Sequence, residues 1–219
     1  MPTPIGAIFD LDGVIVSTDR YHRLAWQQLA DELGLPFTEE QARATRGVDR
    51  MSSLAVVLGA HAGEYTDEQK EELASRKNEA YKKLVSGITP ADKLPGVDAL
   101  LDDLAAHGVK TAIGSASKNA LPVLERLGIA GRFDAIVTGH DFTRGKPAPD
   151  VFLTAAERLG LPPSRCVVFE DAAAGVEAAH AGGMKAVGVG DPEIVAAAEV
   201  RIRDLSCIGY ADIAGLLRG

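Results

Sequence analysis

Asp10 and Asp12 flank Leu11 where a short apolar run, Ile5-Gly-Ala-Ile-Phe9, breaks into Asp10-Leu-Asp-Gly13. Two carboxylates held close do not easily both ionise: one stays an anion while the other keeps its proton and can act as a general acid. If the apolar run is a strand that continues, a spacing of two puts both side chains on one face. Turns favour Asp and Gly in any case, so the pair draws its meaning from what lies downstream. Gly114-Ser-Ala-Ser-Lys-Asn119 offers an anion hydroxyls, an amide, backbone N–H groups at a helix start and the charge of Lys118; serines there also serve as plain turn or cap residues. Lys146 lies in Gly145-Lys-Pro-Ala-Pro-Asp150, where Pro147 and Pro149 stiffen the chain and can fix a lysine that would otherwise be an ordinary surface one. Glu170-Asp171 suits a hard divalent cation such as Mg²⁺, which prefers oxygen ligands, although Asp171 is equally a natural helix cap. Together these groups form a phosphoryl-transfer site, with Asp10 as nucleophile, Mg²⁺ and Lys146 offsetting charge, and Ser115 with its neighbours gripping phosphate oxygens.

One architecture gathers all of them. Apolar strand candidates at Ile5–Phe9, Lys110–Gly114, Ala135–Thr138, Cys166–Glu170 and Ala186–Val189 alternate with helical segments near Val97–Ala106, Asn119–Leu127, Pro149–Leu159 and Ala172–Ala181. Such alternation implies βαβ units and a doubly wound, Rossmann-like parallel α/β sheet. Every candidate group falls at the carboxyl end of a strand, where ligands bind in open α/β sheets. Between the first strand and the rest, Tyr21, Leu24, Ala25, Leu29 and Leu33 recur at helical spacing, Gly34 supplies a stop, and Thr66–Leu84 is a long charged amphipathic stretch. The expected organisation is a core of residues 1–16 and 87–219 interrupted by a helical lid over 17–86. The alanine clusters Ala172–Ala174 and Ala196–Ala198 suit helix packing.

The 219 residues amount to about one and a half typical domains, which accommodates a core with a smaller insertion. With 46% hydrophobic and 25% charged residues the chain reads as globular, so fibrous and disordered classes fall away. Lys plus Arg number 23 against 31 Asp plus Glu, a formal net charge of −8, and no basic run suited to successive phosphates appears. Nucleic acid is not expected as a partner, nor is a membrane, since no apolar stretch approaches the ~20 residues of a span. The N-terminus reaches Asp10 too soon to hold a secretory apolar region, so a cytoplasmic place is expected. Cys166 and Cys207 lack any ligand or redox spacing.

In that order, Asp10-Leu-Asp-Gly-Val14, Ser115, Lys146 and Glu170-Asp171 resemble the four motifs of the haloacid dehalogenase superfamily of aspartate-nucleophile phosphotransferases, and the insertion looks like its α-helical cap. The resemblance implies that Asp10 is phosphorylated, that Asp12 is general acid and base, and that one Mg²⁺ is held by Asp10, the backbone carbonyl of Asp12, Glu170 and Asp171. Thr18-Asp-Arg-Tyr-His22 with Trp26, Arg46-Gly-Val-Asp-Arg50, Arg76-Lys-Asn78, Ser115-Ala-Ser-Lys-Asn119 and Lys146-Pro-Ala-Pro-Asp150 are similar to the β-phosphoglucomutases of its helical-cap subgroup. That implies interconversion of β-D-glucose 1-phosphate and D-glucose 6-phosphate through phospho-Asp10, with β-glucose 1,6-bisphosphate as activator and intermediate. By the same resemblance Arg50 holds the idle phosphate, and Thr18, His22, Trp26, Gly47, Val48 and Lys77 contact substrate from the cap. Ser115, Ala116, Ser117, Lys118 and Asn119 bind it from the core. His22, near the acidic pair, is expected to hydrogen-bond Asp12 on closure.

The pattern departs at Arg46, where the subgroup has Lys. A mutase needs a second cationic site about one sugar away from the nucleophile, and the guanidinium of Arg50 grips phosphate bidentately. The alternatives are a sugar-phosphate phosphatase, in which water attacks phospho-Asp10, and a catalytically silent sugar-phosphate sensor, which the intact acidic and lysine set argues against. The expected partner is a small sugar phosphate, bound by a monomer.

Overall fold

The structure, a computed structural model, describes residues 4–46 and 48–218. Gly47, assigned above to substrate contact, lies outside the described residues. Six parallel strands, β1 (Gly6–Phe9), β2 (Lys110–Gly114), β3 (Ala135–Val137), β4 (Cys166–Glu170), β5 (Lys185–Val189) and β6 (Val200–Ile202), form one sheet in the order β3-β2-β1-β4-β5-β6. This is the doubly wound α/β fold expected from the alternation. The order reverses at β1, which lies between β2 and β4, and such a switch point opens a crevice at the carboxyl ends.

Side chains of period two divide between the two faces. Phe9 and Phe169 stack with ring centroids 4.6 Å apart on one face, in a cluster with α5 (Val97–Ala106), α6 (Ala120–Arg126) and α9 (Tyr210–Leu216). Ile8 and Val168 point to the opposite face, against Phe152 and Val176 of α7 (Asp150–Leu159) and α8 (Ala173–Ala181). Two outer elements, β6 and α9, have no counterpart in the sequence reading. β6 is three residues long with Arg201 exposed, too short to show alternation. Ala196–Ala198 lies in turns, not a helix; Ala198 packs there against Gly188 of β5, where a Cβ would meet it at 3.1 Å.

Between β1 and α5 the described residues make four α-helices, α1 (Asp19–Leu33), α2 (Glu39–Ala44), α3 (Arg50–Leu58) and α4 (Asp67–Val85). Their ends follow local chemistry. α1 stops at Gly34, whose φ of 69° favours glycine. Thr66 and Gln69 form a reciprocal capping box on α4. The Asp49 carboxylate accepts from Met51 N at 2.9 Å and Ser52 N at 3.0 Å, which starts α3 at Arg50. These helices bury Trp26, Leu29, Leu54, Val57, Leu58 and Leu73 in a cluster of their own, while Ala25, Tyr81 and Val85 join the cluster on the sheet. The two connecting segments run side by side, with Leu94 N donating to Ile15 O at 2.9 Å and an antiparallel bridge between Val16 and Lys93. Among the described residues no helix is long and apolar enough to cross a membrane.

Leu54 is buried in the helical cluster, away from the sheet. Leu54→Ala is expected to cost ~2–5 kcal/mol and to accelerate amide exchange in α1, α3 and α4 while β1, β2 and β4 stay protected. Hydrogen exchange read by mass spectrometry checks this, and equal acceleration in the strands would show one cooperative unit instead.

Candidate active site

β1 ends at Phe9, so Asp10 and Asp12 sit in the loop beyond it rather than on a continued strand. The two residues therefore do not share the face of a strand, yet both carboxyls line one cavity at the carboxyl end of β1. Asp10 N donates to Phe169 O at 2.9 Å, which carries the β1–β4 ladder one residue further and fixes the Asp10 backbone.

Lys146 approaches from the loop before α7, followed by a cis peptide bond to Pro147. Its Nζ donates to Asp10 Oδ1 at 2.6 Å and to Glu170 Oε2 at 2.8 Å, and its side chain is wholly buried. Burial opposes the ammonium, but Asp10 and Glu170 outweigh burial and hold Lys146 above the usual lysine range. Glu170 Oε1 also accepts from Asp171 N at 3.1 Å and Ala172 N at 3.0 Å. Glu170 thus orders both Lys146 and the turn into α8.

Four carboxyl groups share this one lysine. Burial, with the charges of Glu170 and Asp10 behind it, pushes Asp171 well up from the usual carboxylate range. Burial and then Asp10 push Asp12 up to about 8, while Asp10 is also raised by burial, against the pull of Lys146. Asp12 Oδ1 is buried without a hydrogen-bond partner, and the Asp171 carboxylate accepts none among the described residues. Oxygens of Asp10, Glu170 and Asp171 lie within 4.8 Å of one another. An all-oxygen group short of positive charge fits a hard divalent cation. The Asp12 side chain stands outside that group, leaving its carbonyl as the contact the family resemblance assigns to it.

Two glycines make the seat possible. At Gly13, with φ of 83°, a Cβ would lie 2.0 Å from Asp171 Oδ2; at Gly175 of α8, one would lie 1.9 Å from Glu170 Oε2. Gly175 carried no signal in the sequence reading, because its reason is a contact with a residue five positions earlier across a turn.

On the core side, Ser115 N donates to Val137 O at 3.0 Å. Ser115 Oγ accepts from Ser117 N at 3.1 Å and Ser117 Oγ from Asn119 N at 3.2 Å, so the loop is folded on its own hydroxyls. A hydroxyl that accepts still has its proton to donate. Ser115, Ala116, Ser117, Lys118 and Asn119 all line the cavity.

From the helical insertion come His22, Trp26, Val48, Arg50 and Lys77. Lys77 Nζ lies 2.8 Å from His22 Nδ1 and 4.4 Å from the Trp26 ring centroid, and His22 stacks on Tyr81 at 4.0 Å. Burial and then Arg50 bring Lys77 down to about 7. Burial, Lys77 and Arg50 keep His22 neutral. The partner of His22 here is therefore Lys77 rather than Asp12. Thr18 is fully buried ahead of α1 and does not line the cavity.

Arg46 and Asp19, both on the cavity wall, form an ion pair. Asn78 Oδ1 accepts from Arg50 Nη2 at 2.9 Å and from Asn119 Nδ2 at 2.7 Å. Asp19, Thr45, Ser53 and Asn78 line the cavity without having been assigned a role from sequence; Asp19 and Asn78 lay within motifs singled out there.

This fold agrees with what known proteins show. The sequence profile of the haloacid dehalogenase-like hydrolases matches residues 6–183, and the chain belongs to that family. It is 42% identical over 201 residues to the β-phosphoglucomutase of Bacillus subtilis (strain 168), covering 91% of this chain and 89% of the relative. It is 35% identical over 184 residues to the fructose-1-phosphate phosphatase YqaB of Escherichia coli (strain K12), covering 84% and 95%. The crystal structure of a β-phosphoglucomutase from Clostridium difficile superposes with a TM-score of 0.95 at 35% identity, covering 99% of this chain and 98% of that one.

The raised carboxyls have a consequence for stability. A carboxyl raised in the folded state contributes most at low pH and loses that contribution as pH rises through its folded value. For Asp12 the window runs from 3.8 to about 8, and Asp171 adds in the same direction. In a chelator the melting temperature is expected to fall across that window, with a shallower fall in Asp171→Asn. MgCl₂ should raise the melting temperature of the unmutated protein more than that of the variant. Differential scanning fluorimetry against pH reads this out, and identical slopes with identical Mg²⁺ shifts would remove Asp171 from the cation site.

Proposed function

We propose that this chain is a Mg²⁺-dependent β-phosphoglucomutase. It interconverts β-D-glucose 1-phosphate and D-glucose 6-phosphate through phospho-Asp10 and a β-glucose 1,6-bisphosphate that turns around between half-reactions. The observation that carries the reading is that one cavity gathers two separate sets of groups suited to phosphate. One set is Asp10, held by Lys146, with Ser115; the other is Arg50 Nη2 and Asn119 Nδ2, which converge on a single oxygen. A hydrolase acting on one phosphate has no need of the second. The similarity to β-phosphoglucomutases over nine-tenths of the chain supports the same reading.

In the proposed mechanism Lys146 holds one oxygen of Asp10 and leaves the other to attack phosphorus. Ser115 and Ala116 receive the phosphoryl oxygens, while Asn119, with Arg50, holds the idle phosphate. Asp12, raised to about 8, carries a proton at neutral pH and delivers it to the departing sugar oxygen; as a carboxylate it then takes the proton of the attacking hydroxyl. Mg²⁺, held by Asp10, the Asp12 carbonyl, Asp171 and Glu170, would offset the negative charge brought together there. The segment 17–86 acts as a cap: it carries Arg50, His22, Trp26, Val48 and Lys77 to the sugar and excludes water, so that a sugar hydroxyl and not water accepts the phosphoryl group.

The test supplies β-glucose 1-phosphate, MgCl₂ and a trace of β-glucose 1,6-bisphosphate, and follows glucose 6-phosphate and inorganic phosphate together. Glucose 6-phosphate is expected in large excess, and Asp10→Asn is expected to abolish turnover. Stoichiometric phosphate release would instead identify a sugar-phosphate phosphatase.

A further inference from the structure

Asn78 is a neutral side chain placed where an anion is wanted. Its Oδ1 accepts from Arg50 Nη2 on α3 at 2.9 Å and from Asn119 Nδ2 on the core loop at 2.7 Å, while Asn78 itself belongs to α4. Among the described residues, the Asn78–Asn119 contact is the one hydrogen bond between side chains that joins the helical insertion to the α/β core. Arg50 makes no ion pair among the described residues. Partial burial lowers its pKa, with Glu71 and Glu79 acting in the opposite sense. A half-buried guanidinium and a carboxamide N–H left without acceptors are costly, and the Asn78 carbonyl oxygen satisfies both.

We propose that Asn78 is a positioning residue whose side-chain oxygen stands in for a phosphate oxygen: it holds Arg50 and Asn119 aimed at one point until the idle phosphate of the substrate takes its place. The idea rests on the assignment of Arg50 and Asn119 to that phosphate. A carboxamide oxygen suits the task because it accepts two hydrogen bonds yet has no net charge. A carboxylate at the same position would pair with Arg50 as strongly as a ligand does and would also repel the incoming dianion. Asn78 thus keeps the donors preorganised and remains displaceable. Because α4, α3 and the core loop meet at this oxygen, ligand entry also exchanges one bond between the two units for a phosphate that bridges them.

The experiment titrates glucose 6-phosphate into the protein by calorimetry, which needs no turnover and so stays informative if the mutase reading fails. Asn78→Asp is expected to weaken binding at least tenfold without lowering the melting temperature. Asn78→Ala is expected to bind within about threefold of the unmutated protein, or more tightly, while melting lower. In an Arg50→Ala background the effect of Asn78→Asp should shrink to less than about threefold, which ties it to the guanidinium. Equal weakening by both Asn78 substitutions would make Asn78 a direct ligand contact or a purely structural residue, and no change in either would remove it from the site; each result overturns the proposal. Should Asn78→Asp fail to fold, Asn78→Ala still decides: binding weakened more than about threefold, or an unchanged melting temperature, overturns the proposal.

Discussion

Lys146 stands between Asp10, one residue past β1, and Glu170, the last residue of β4, and all three are buried. Taking three charges out of water is expensive, and breaking a buried pair of this kind typically costs about 3–5 kcal/mol. The neighbouring strands β1 and β4 bring the two carboxylates together at the switch point of the sheet, and the loop before α7 reaches across to supply the ammonium. Lys146 neutralises part of the charge and also sets an asymmetry. Asp10 keeps an ammonium partner, whereas Asp12, with no hydrogen bond at Oδ1, is pushed towards its protonated form. Adjacent carboxyls whose environments drive them apart can divide the roles of nucleophile and acid.

The second organising feature is the way the helical insertion is tied to the core. Its two connections pair with each other through Ile15, Val16, Lys93 and Leu94. On the far side Asp49, which caps α3, packs on Gly145, the residue before Lys146; a Cβ there would come within 2.7 Å of Asp49 Oδ2. One carboxylate thus starts the helix that presents Arg50 and rests against the loop that presents Lys146. The acidity of the chain as a whole, −8, is set against a cavity wall that collects Arg46, Arg50, Lys77 and Lys118, the local concentration of cations that an anionic ligand requires.

Much of this was legible in the residues. Strand ends coincide with abrupt changes from apolar to acidic or hydroxylic residues, as at Phe9–Asp10 and Gly114–Ser115, because a buried parallel strand must stop where the ligand begins. The helical insertion could be read from its period, its Gly34 stop and the charged amphipathic stretch from Thr66 to Leu84. What was not legible depends on contacts between distant segments. Gly175 is required by Glu170, Asn78 is engaged by residues 28 positions before it and 41 after it, and His22 finds Lys77 rather than Asp12. Thr18, although within a recognisable motif, turns into the interior. Short edge elements such as β6 escaped because three residues carry too little periodicity.

The central claim is that the carboxylate held by Lys146 receives the phosphoryl group. Mixing the protein with β-glucose 1,6-bisphosphate and MgCl₂, quenching in acid within the first turnover and mapping the phosphate by tandem mass spectrometry tests it most directly. One phosphate on Asp10 is the predicted result. Glucose 6-phosphate formation with phosphate on another residue, or with no phosphorylated protein at any time, would contradict it.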